Sequence, residues 1–312
     1  MSALSEKRVA VVGPGEAGRT YLELLAEFRE LRLAGVVAPD RGSAAIAAPR
    51  FRSIRELLAR EGAPHVALIC SPPRDHAAHA AALLRAGADV LIEPPLAEDP
   101  SEADRIAALA ERAGRVAYTA APLRVLPALR KARRLIASGR IGRLCAIECD
   151  RADKRNAAAP GGGSNGVWLD SGPHAIDVVE ALAGPIERIR MLETSKLQAG
   201  PVEDEVCVEA EHRDRLVSRL RLSWNGERNA PIARCIGDRG ELTIGRAQTV
   251  LHTEDGHETL PGEPYSEREA CREVLRDFLA TCRAPEPSVD HGAQSVAWIH
   301  AAYRSLGRWE LC

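Results

Sequence analysis

Val11-Val12-Gly13-Pro14-Gly15-Glu16-Ala17-Gly18 is the stretch whose reading decides the fold. It closes the short β-branched run Arg8-Val9-Ala10-Val11-Val12 and opens a periodic segment in which Leu22, Leu24, Leu25, Phe28 and Leu31 recur at roughly helical spacing. A Gly-x-Gly-x-x-Gly turn in that context has a mechanical reading. Gly13 permits the tight turn, Gly15 lets another group approach the backbone, and Gly18 lets helix and strand pack closely. The helix start offers N–H groups that have no partner inside the helix, which suits an anion. The stretch therefore predicts a pyrophosphate cradle made of Gly13, Pro14, Gly15, Glu16, Ala17 and Gly18.

Strand and helix signals alternate from there. Leu33 to Val37 reads as a strand, Ile54 to Arg60 as a helix, and Val66 to Cys70 as a strand ended by Ser71-Pro72-Pro73. Helix 75–86, strand 89–93, helix 101–113 and strand 115–119 follow. This alternation predicts an α/β architecture, a doubly wound parallel Rossmann sheet over residues 1–122. Past about residue 122 the order changes: helix 126–138, strand 144–149, a polar Gly-rich loop over 151–166 and helix 168–183. Strands at 186–193, 204–212, 215–224, 231–236 and 240–245 come in succession, and helices 266–283 and 291–306 close the chain. Consecutive strands followed by helices predict a second, α+β domain over 123–312, with a mostly antiparallel, open-faced sheet.

Composition narrows the partners. The 312 residues are 45% hydrophobic and 28% charged, enough for sizeable cores. A formal net charge of -2 gives no electrostatic reason to expect nucleic acid or a membrane surface. The basic run from Arg130 to Arg134 reads as a solvated helix face. No apolar run approaches the roughly 18 residues that a span requires, and Met1 to Gly13 enters a strand without a signal-peptide pattern, so a cytoplasmic protein is expected. The eight cysteines form no C-x-x-C pair; all read as small buried residues in a reducing compartment, and no metal site is expected.

Two further stretches carry chemistry. An acidic residue after the second strand ordinarily meets the ribose of NAD, but here Val37 is followed by Ala38-Pro39-Asp40-Arg41. Asp40 can serve the ribose or Arg41 a 2′-phosphate, so NAD and NADP both stay open, and the missing carboxylate tilts weakly to NADP. Asp170, His174 and Asp177 stand at i, i+4 and i+7 and share one helix face. A histidine oriented by a carboxylate suits proton transfer near neutral pH. Pro173 costs no helix bond if the helix starts near Leu169; a start at Gly166 puts it inside and predicts a kink.

The Rossmann turn, Ser71-Pro72-Pro73 with His76, Val90-Leu-Ile-Glu-Pro-Pro95 and Asp170-x-Gly172-x-His174-x-x-Asp177 occur in that order. Together with Leu135-Ile-Ala-Ser-Gly-Arg-Ile-Gly142 and Ala301-Ala-Tyr-Arg-Ser305, this series resembles the Gfo/Idh/MocA family, which includes glucose–fructose oxidoreductase and inositol dehydrogenases. The resemblance implies a cofactor on the N-terminal sheet, with Cys70, Ser71, Pro72, His76, Glu93 and Pro94 along its edge. It also implies a small-molecule substrate between that sheet and the second one, whose open face commonly builds a homodimer or tetramer. The family's acid/base histidine maps onto His174 and its substrate-facing aspartate onto Asp170; Asp177 fits an orienting or structural role.

The chain departs from the family twice. Glu93-Pro94-Pro95 replaces Glu-Lys-Pro, and a proline offers neither charge nor donor; one of these prolines is expected to follow a cis bond. Tyr118-Thr-Ala-Ala-Pro122 stands where many relatives carry Arg or Asn, which leaves Tyr118, Arg124, Lys154, Arg155, Asn165 and Trp168 as polar candidates for the substrate. His76 either borders the nicotinamide or serves the structure. The expected function is an NAD(P)-dependent oxidoreductase acting on a sugar, cyclitol or imine-like substrate. Its alternatives are a non-redox cofactor-binding sensor or scaffold, and a lyase or epimerase with transient oxidation.

Overall fold

The computed structural model describes residues 6–39, 48–154, 165–226, 231–246, 248–262, 266–283 and 291–305. They form two compact units, Met1–Ala120 with Glu267–Val296, and Ala121–Ser266 with Ala297–Cys312.

The first unit runs β1 (Lys7–Val12), α1 (Glu16–Leu25), β2 (Leu31–Val37), β3 (Arg50–Phe51), α2 (Ile54–Glu61), β4 (Val66–Ile69), α3 (Pro73–Arg85), β5 (Asp89–Ile92), α4 (Pro100–Ala113) and β6 (Ala117–Thr119). Its strands lie in the order β3-β2-β1-β4-β5-β6, and every pairing is parallel. Val9 to Val12, Val66 to Ile69 and Val90 to Ile92 are buried without alternation, as strands covered on both faces must be. Register matters for the site: Val37, Val12, Ile69, Ile92 and Thr119 stand side by side. The residues after them leave the sheet along one edge. The strand order reverses between β1 and β4, and a crevice at such a switch point is where open α/β sheets bind ligands.

The second unit contains α5 (Pro127–Ala137), β7 (Leu144–Ala152), α6 (Val167–Ala183), β8 (Ile186–Ser195), β9 (Glu205–His212), β10 (Val217–Ser223), β11 (Ala233–Gly237), β12 (Gly240–Ile244), β13 (Gln248–Thr253) and β14 (Gly256–Pro261). The sheet order is β14-β13-β12-β11-β7-β10-β9-β8, antiparallel except for the β7–β10 pair. Ile147, Cys149, Val208, Ala210, Leu220 and Leu222 alternate inward and share a core with Ala175, Ile176, Val178 and Val179 of α6. The opposite face carries charge that changes sign strand by strand. Arg188 and Arg190 on β8 meet Glu211 and Glu209 on β9; Arg219 on β10 meets Glu209; Arg234 on β11 meets Glu148 on β7 and Glu241 on β12, all at 2.6–2.8 Å.

Helices α7 (Glu267–Arg283) and α8 (His291–Ser305) end the described chain. A single division at 122/123 is corrected here, because α7 returns to the first unit. There Val274, Leu275 and Phe278 are buried, and Arg272 Nε donates to Glu27 beyond α1 at 2.7 Å. The sequence reading also lacks β3, β13 and β14, and it counts Arg151 and Ala152 as loop although β7 extends through them. Cys145 is exposed, so not every cysteine is buried; the seven described cysteines are all free thiols.

Candidate functional site

The turn after β1 has three glycines for three reasons. Gly13 has φ +84°, and a Cβ there would meet Ser71 N at 2.6 Å and Cys70 O at 2.7 Å. A Cβ on Gly18 would strike Gly13 O at 2.3 Å. Around Gly15 a Cβ would meet nothing within 4 Å, so the protein itself sets no steric demand for glycine there. The first helical bond of α1 runs from Arg19 N to Gly15 O at 3.0 Å, and no side chain caps the helix. Glu16, Ala17 and Gly18 thus carry N–H groups ahead of that bond, and the space around Gly15 is open. This cradle fits a pyrophosphate. Pro14 and Glu16 lie on its accessible side; Asp40 and Arg41 lie outside the described residues, and Ala38 is buried.

Beside it, the ends of β4 and β5 are built from prolines. Pro73 begins α3, with Ser71 and Pro72 leading in, and the Pro94–Pro95 bond is cis. His76 is buried, with Nδ1 2.9 Å from Pro95 O and Nε2 2.7 Å from Ser71 O. Its ring is taken up by the main chain, so of the two readings the structural one fits. Burial pushes its pKa down against those two contacts. Glu93 is partly buried and accepts from Tyr21 Oη of α1 at 2.9 Å. Burial raises its carboxyl from 4.5 to about 7, although the Tyr21 bond works the other way. Cys70 sits behind the turn, its thiol held well above the ordinary range by burial and by Glu93.

The second unit presents α6. Its first turn is pinned by distant residues: Val167 N donates to Glu203 O at 3.0 Å and Trp168 N to Glu203 Oε1 at 3.2 Å. Tyr303 Oη donates to the same carboxylate at 2.6 Å and is hydrogen-bonded by the Leu169 backbone. Asp170 N then makes the first helical bond, to Gly166 O at 3.1 Å. The N–H groups of the first turn are accounted for, and an anion sits at the positive helix end. Pro173 lies inside the helix, which runs from Val167 to Ala183.

Asp170 and His174 are both partly exposed, and Ser171 Oγ donates to Asp170 Oδ2 at 2.9 Å. The other candidates are placed differently. Trp168 is fully buried and its indole N–H donates to Ile299 O at 3.1 Å, so it is core and not substrate-facing. Asp177 is also buried; it accepts from Arg124 Nε at 2.8 Å, while Arg124 Nη2 reaches Glu180 at 3.2 Å. Burial raises Asp177 to about 6, with Arg124 opposing. Arg124 and Asp177 are therefore mutual partners rather than hands for a ligand. Tyr118 of β6 packs its ring 5.8 Å from Phe278. Lys154 is exposed and bridges its backbone to Asn225; Asn165 is half-buried; Arg155 lies outside the described residues.

Sequence reasoning missed Tyr21, Glu203, Glu180 and Tyr303. A tyrosine on the buried face of α1 needs a hydrogen-bond partner, which was a usable signal for Tyr21. Among the described residues no group of three or more His, Cys, Asp and Glu could hold a metal. No described helix is long and apolar enough to cross a membrane.

A doubly wound unit with this cradle places the chain among dinucleotide-binding proteins. A family model described as an oxidoreductase family with an NAD-binding Rossmann fold matches residues 7–121, and the GFO/IDH/MocA C-terminal domain model matches residues 129–243. The chain belongs to the Gfo/Idh/MocA family of oxidoreductases. It is 23% identical over 333 residues to 4-carboxy-2-hydroxymuconate-6-semialdehyde dehydrogenase of Sphingobium, covering 97% of this chain and 98% of that one. It is 24% identical over 262 residues to an inositol 2-dehydrogenase of Corynebacterium glutamicum, covering 80% and 77%. Among solved structures, an oxidoreductase from Agrobacterium radiobacter in complex with NAD+, L-tartaric acid and magnesium shares the fold, with TM-score 0.84, 15% identity and 98% coverage of both chains.

Proposed function

We propose that this chain transfers hydride to or from a small polar substrate such as a sugar, cyclitol or imine, with His174 as the acid/base and Asp170 orienting it. The observation that carries the reading is on α6. With its first turn pinned by Glu203 and Tyr303, the helix keeps Asp170 and His174 partly exposed while Trp168 and Asp177 are absorbed by the fold.

The cradle of Gly13, Pro14, Gly15, Glu16, Ala17 and Gly18 would hold the dinucleotide, with Cys70, Ser71, Pro72, Glu93 and Pro94 forming the neighbouring edge. The dinucleotide, when bound, accepts or supplies the hydride at carbon. In the oxidising direction His174 takes the hydroxyl proton as the carbonyl forms, and it returns that proton in reduction. Pro94 can supply no charge to polarise the carbonyl, which favours imines or otherwise activated acceptors. Ala38 sets no carboxylate against a 2′-phosphate, so NADP is favoured weakly over NAD. The open, sign-alternating face of the second sheet supports a homodimer or tetramer, and the free thiols support a cytoplasmic protein.

The test is His174→Ala with a panel of polyols, sugars and imines. NADH and NADPH should both quench or enhance fluorescence on binding, with NADPH no weaker than NADH. Turnover should fall by about 10²- to 10⁴-fold in the variant with dinucleotide affinity unchanged. Undiminished turnover would remove His174 from the mechanism. Binding without any turnover across the panel would favour the non-redox reading that Pro94 suggests.

A further inference from the structure

Two turns flank the cradle, Ser71-Pro72-Pro73 after β4 and Glu93-Pro94-Pro95 after β5. Their four prolines carry no N–H, so these turns are poor in donors for their own carbonyls. One ring lies between them, with a single N–H to give when neutral and two as the imidazolium. His76 is 1% exposed, and its ring spans from Ser71 O, 2.7 Å from Nε2, to Pro95 O, 2.9 Å from Nδ1. Ser71 is also the residue whose backbone closes on Gly13, since a Cβ at that glycine would come within 2.6 Å of Ser71 N. A second tie holds the same turn, with His79 Nδ1 2.9 Å from Ser71 Oγ. The imidazole therefore links the turn that seats the phosphate loop to the turn that carries Pro94.

We propose that His76 is a positioning residue for the dinucleotide site: it touches no ligand, and through the Ser71 and Pro95 carbonyls it fixes the spacing of the two proline turns beside the cradle. The inference rests on the dinucleotide reading above.

Three variants separate hydrogen bonding from bulk. His76→Leu fills much of the volume without a donor, His76→Asn puts an amide nitrogen near the Nδ1 position, and His76→Gln puts one near Nε2. Dinucleotide dissociation constants are measured by fluorescence, and amide exchange over 70–74 and 93–97 is followed in the cofactor-free protein. We expect the Leu variant to bind NADH or NADPH about tenfold more weakly or worse, with exchange rising in both segments together. Either Asn or Gln should recover most of that affinity. If the Leu variant does not fold, the Asn and Gln variants still decide, since one of them must bind within a few-fold of wild type. The proposal is overturned if Leu binds like wild type, if Asn and Gln are both as weak as Leu, or if exchange rises in one segment only. A wild-type chain that binds neither dinucleotide would defeat the cofactor reading, while the exchange data would still judge the link between the turns.

Discussion

A Cβ placed on Gly13 would collide with the Ser71 and Cys70 backbone from a positive φ, whereas one on Gly15 would enter open space. The two positions should therefore fail differently. Gly13→Ala combines a left-handed conformation with a backbone clash, and should cost about 1–3 kcal/mol of stability, read as a lowered urea midpoint. Gly15→Val should leave that midpoint nearly unchanged and weaken dinucleotide binding by at least about tenfold, since the lost space is the ligand's. Equal effects on stability at both positions would contradict this division. Glu93 gives a pH signature at the same scale. Its native carboxyl keeps a proton to about pH 7 against an ordinary 4.5, so between those values the native state binds more protons than the unfolded chain. Stability from this group accordingly falls as pH rises through that window; the penalty is absent below it and complete above it. Glu93→Gln still accepts from Tyr21 and cannot ionise. It should match wild type near pH 4.5 and exceed it above pH 7 by about 1–3 kcal/mol, checked by urea titrations at both values.

At the scale of elements, what the sequence disclosed depended on whether the signal was local. The Gly13 to Gly18 turn lies within eight residues, and the predicted helix at 126–138 falls close to the observed Pro127–Ala137 because its apolar spacing is its own. The hairpin of β13 and β14 was harder. Thr249 and Leu251 point inward, but β14 is mostly exposed and has no apolar run, leaving Asp255-Gly256 as its one turn signal. The pinning of α6 could not be read at all, since Glu203 and Tyr303 are 100 residues apart in the chain and meet only in the fold. The same holds for Arg124 and Asp177, which stand 53 residues apart and meet only in the fold. That pinning carries a prediction. Tyr303→Phe removes the hydroxyl that donates to Glu203, and should cost about 1 kcal/mol, seen as a melting temperature lower by a few degrees. Because α6 bears His174 and Asp170, turnover should drop with it while the dinucleotide dissociation constant holds. An unchanged turnover number in a destabilised variant would confine Tyr303 to stability alone.

For the whole molecule, the open face of the second sheet poses the remaining question. Its ion pairs are partly exposed, and each is worth little in isolation, about 0–1 kcal/mol, so their order along six strands is not explained by folding stability. Next to the row Arg219, Glu148 and Arg234 lies a second row, in which Val217 and Ile236 both stand opposite Ala146. These three are half-buried on the solvent side of the sheet, an apolar strip bordered by paired charges. An interface with a dry centre and a polar rim has that layout. If the proposed homo-oligomer forms through this face, Ile236→Lys places a charge in the dry centre without touching the core beneath. The variant should sediment as a smaller species than wild type, with an unchanged far-UV spectrum and a melting temperature lower only by the loss of association. A wild-type chain that sediments as a monomer at micromolar concentration would rule out the assembly. An Ile236→Lys variant that stays associated would move the interface to another surface.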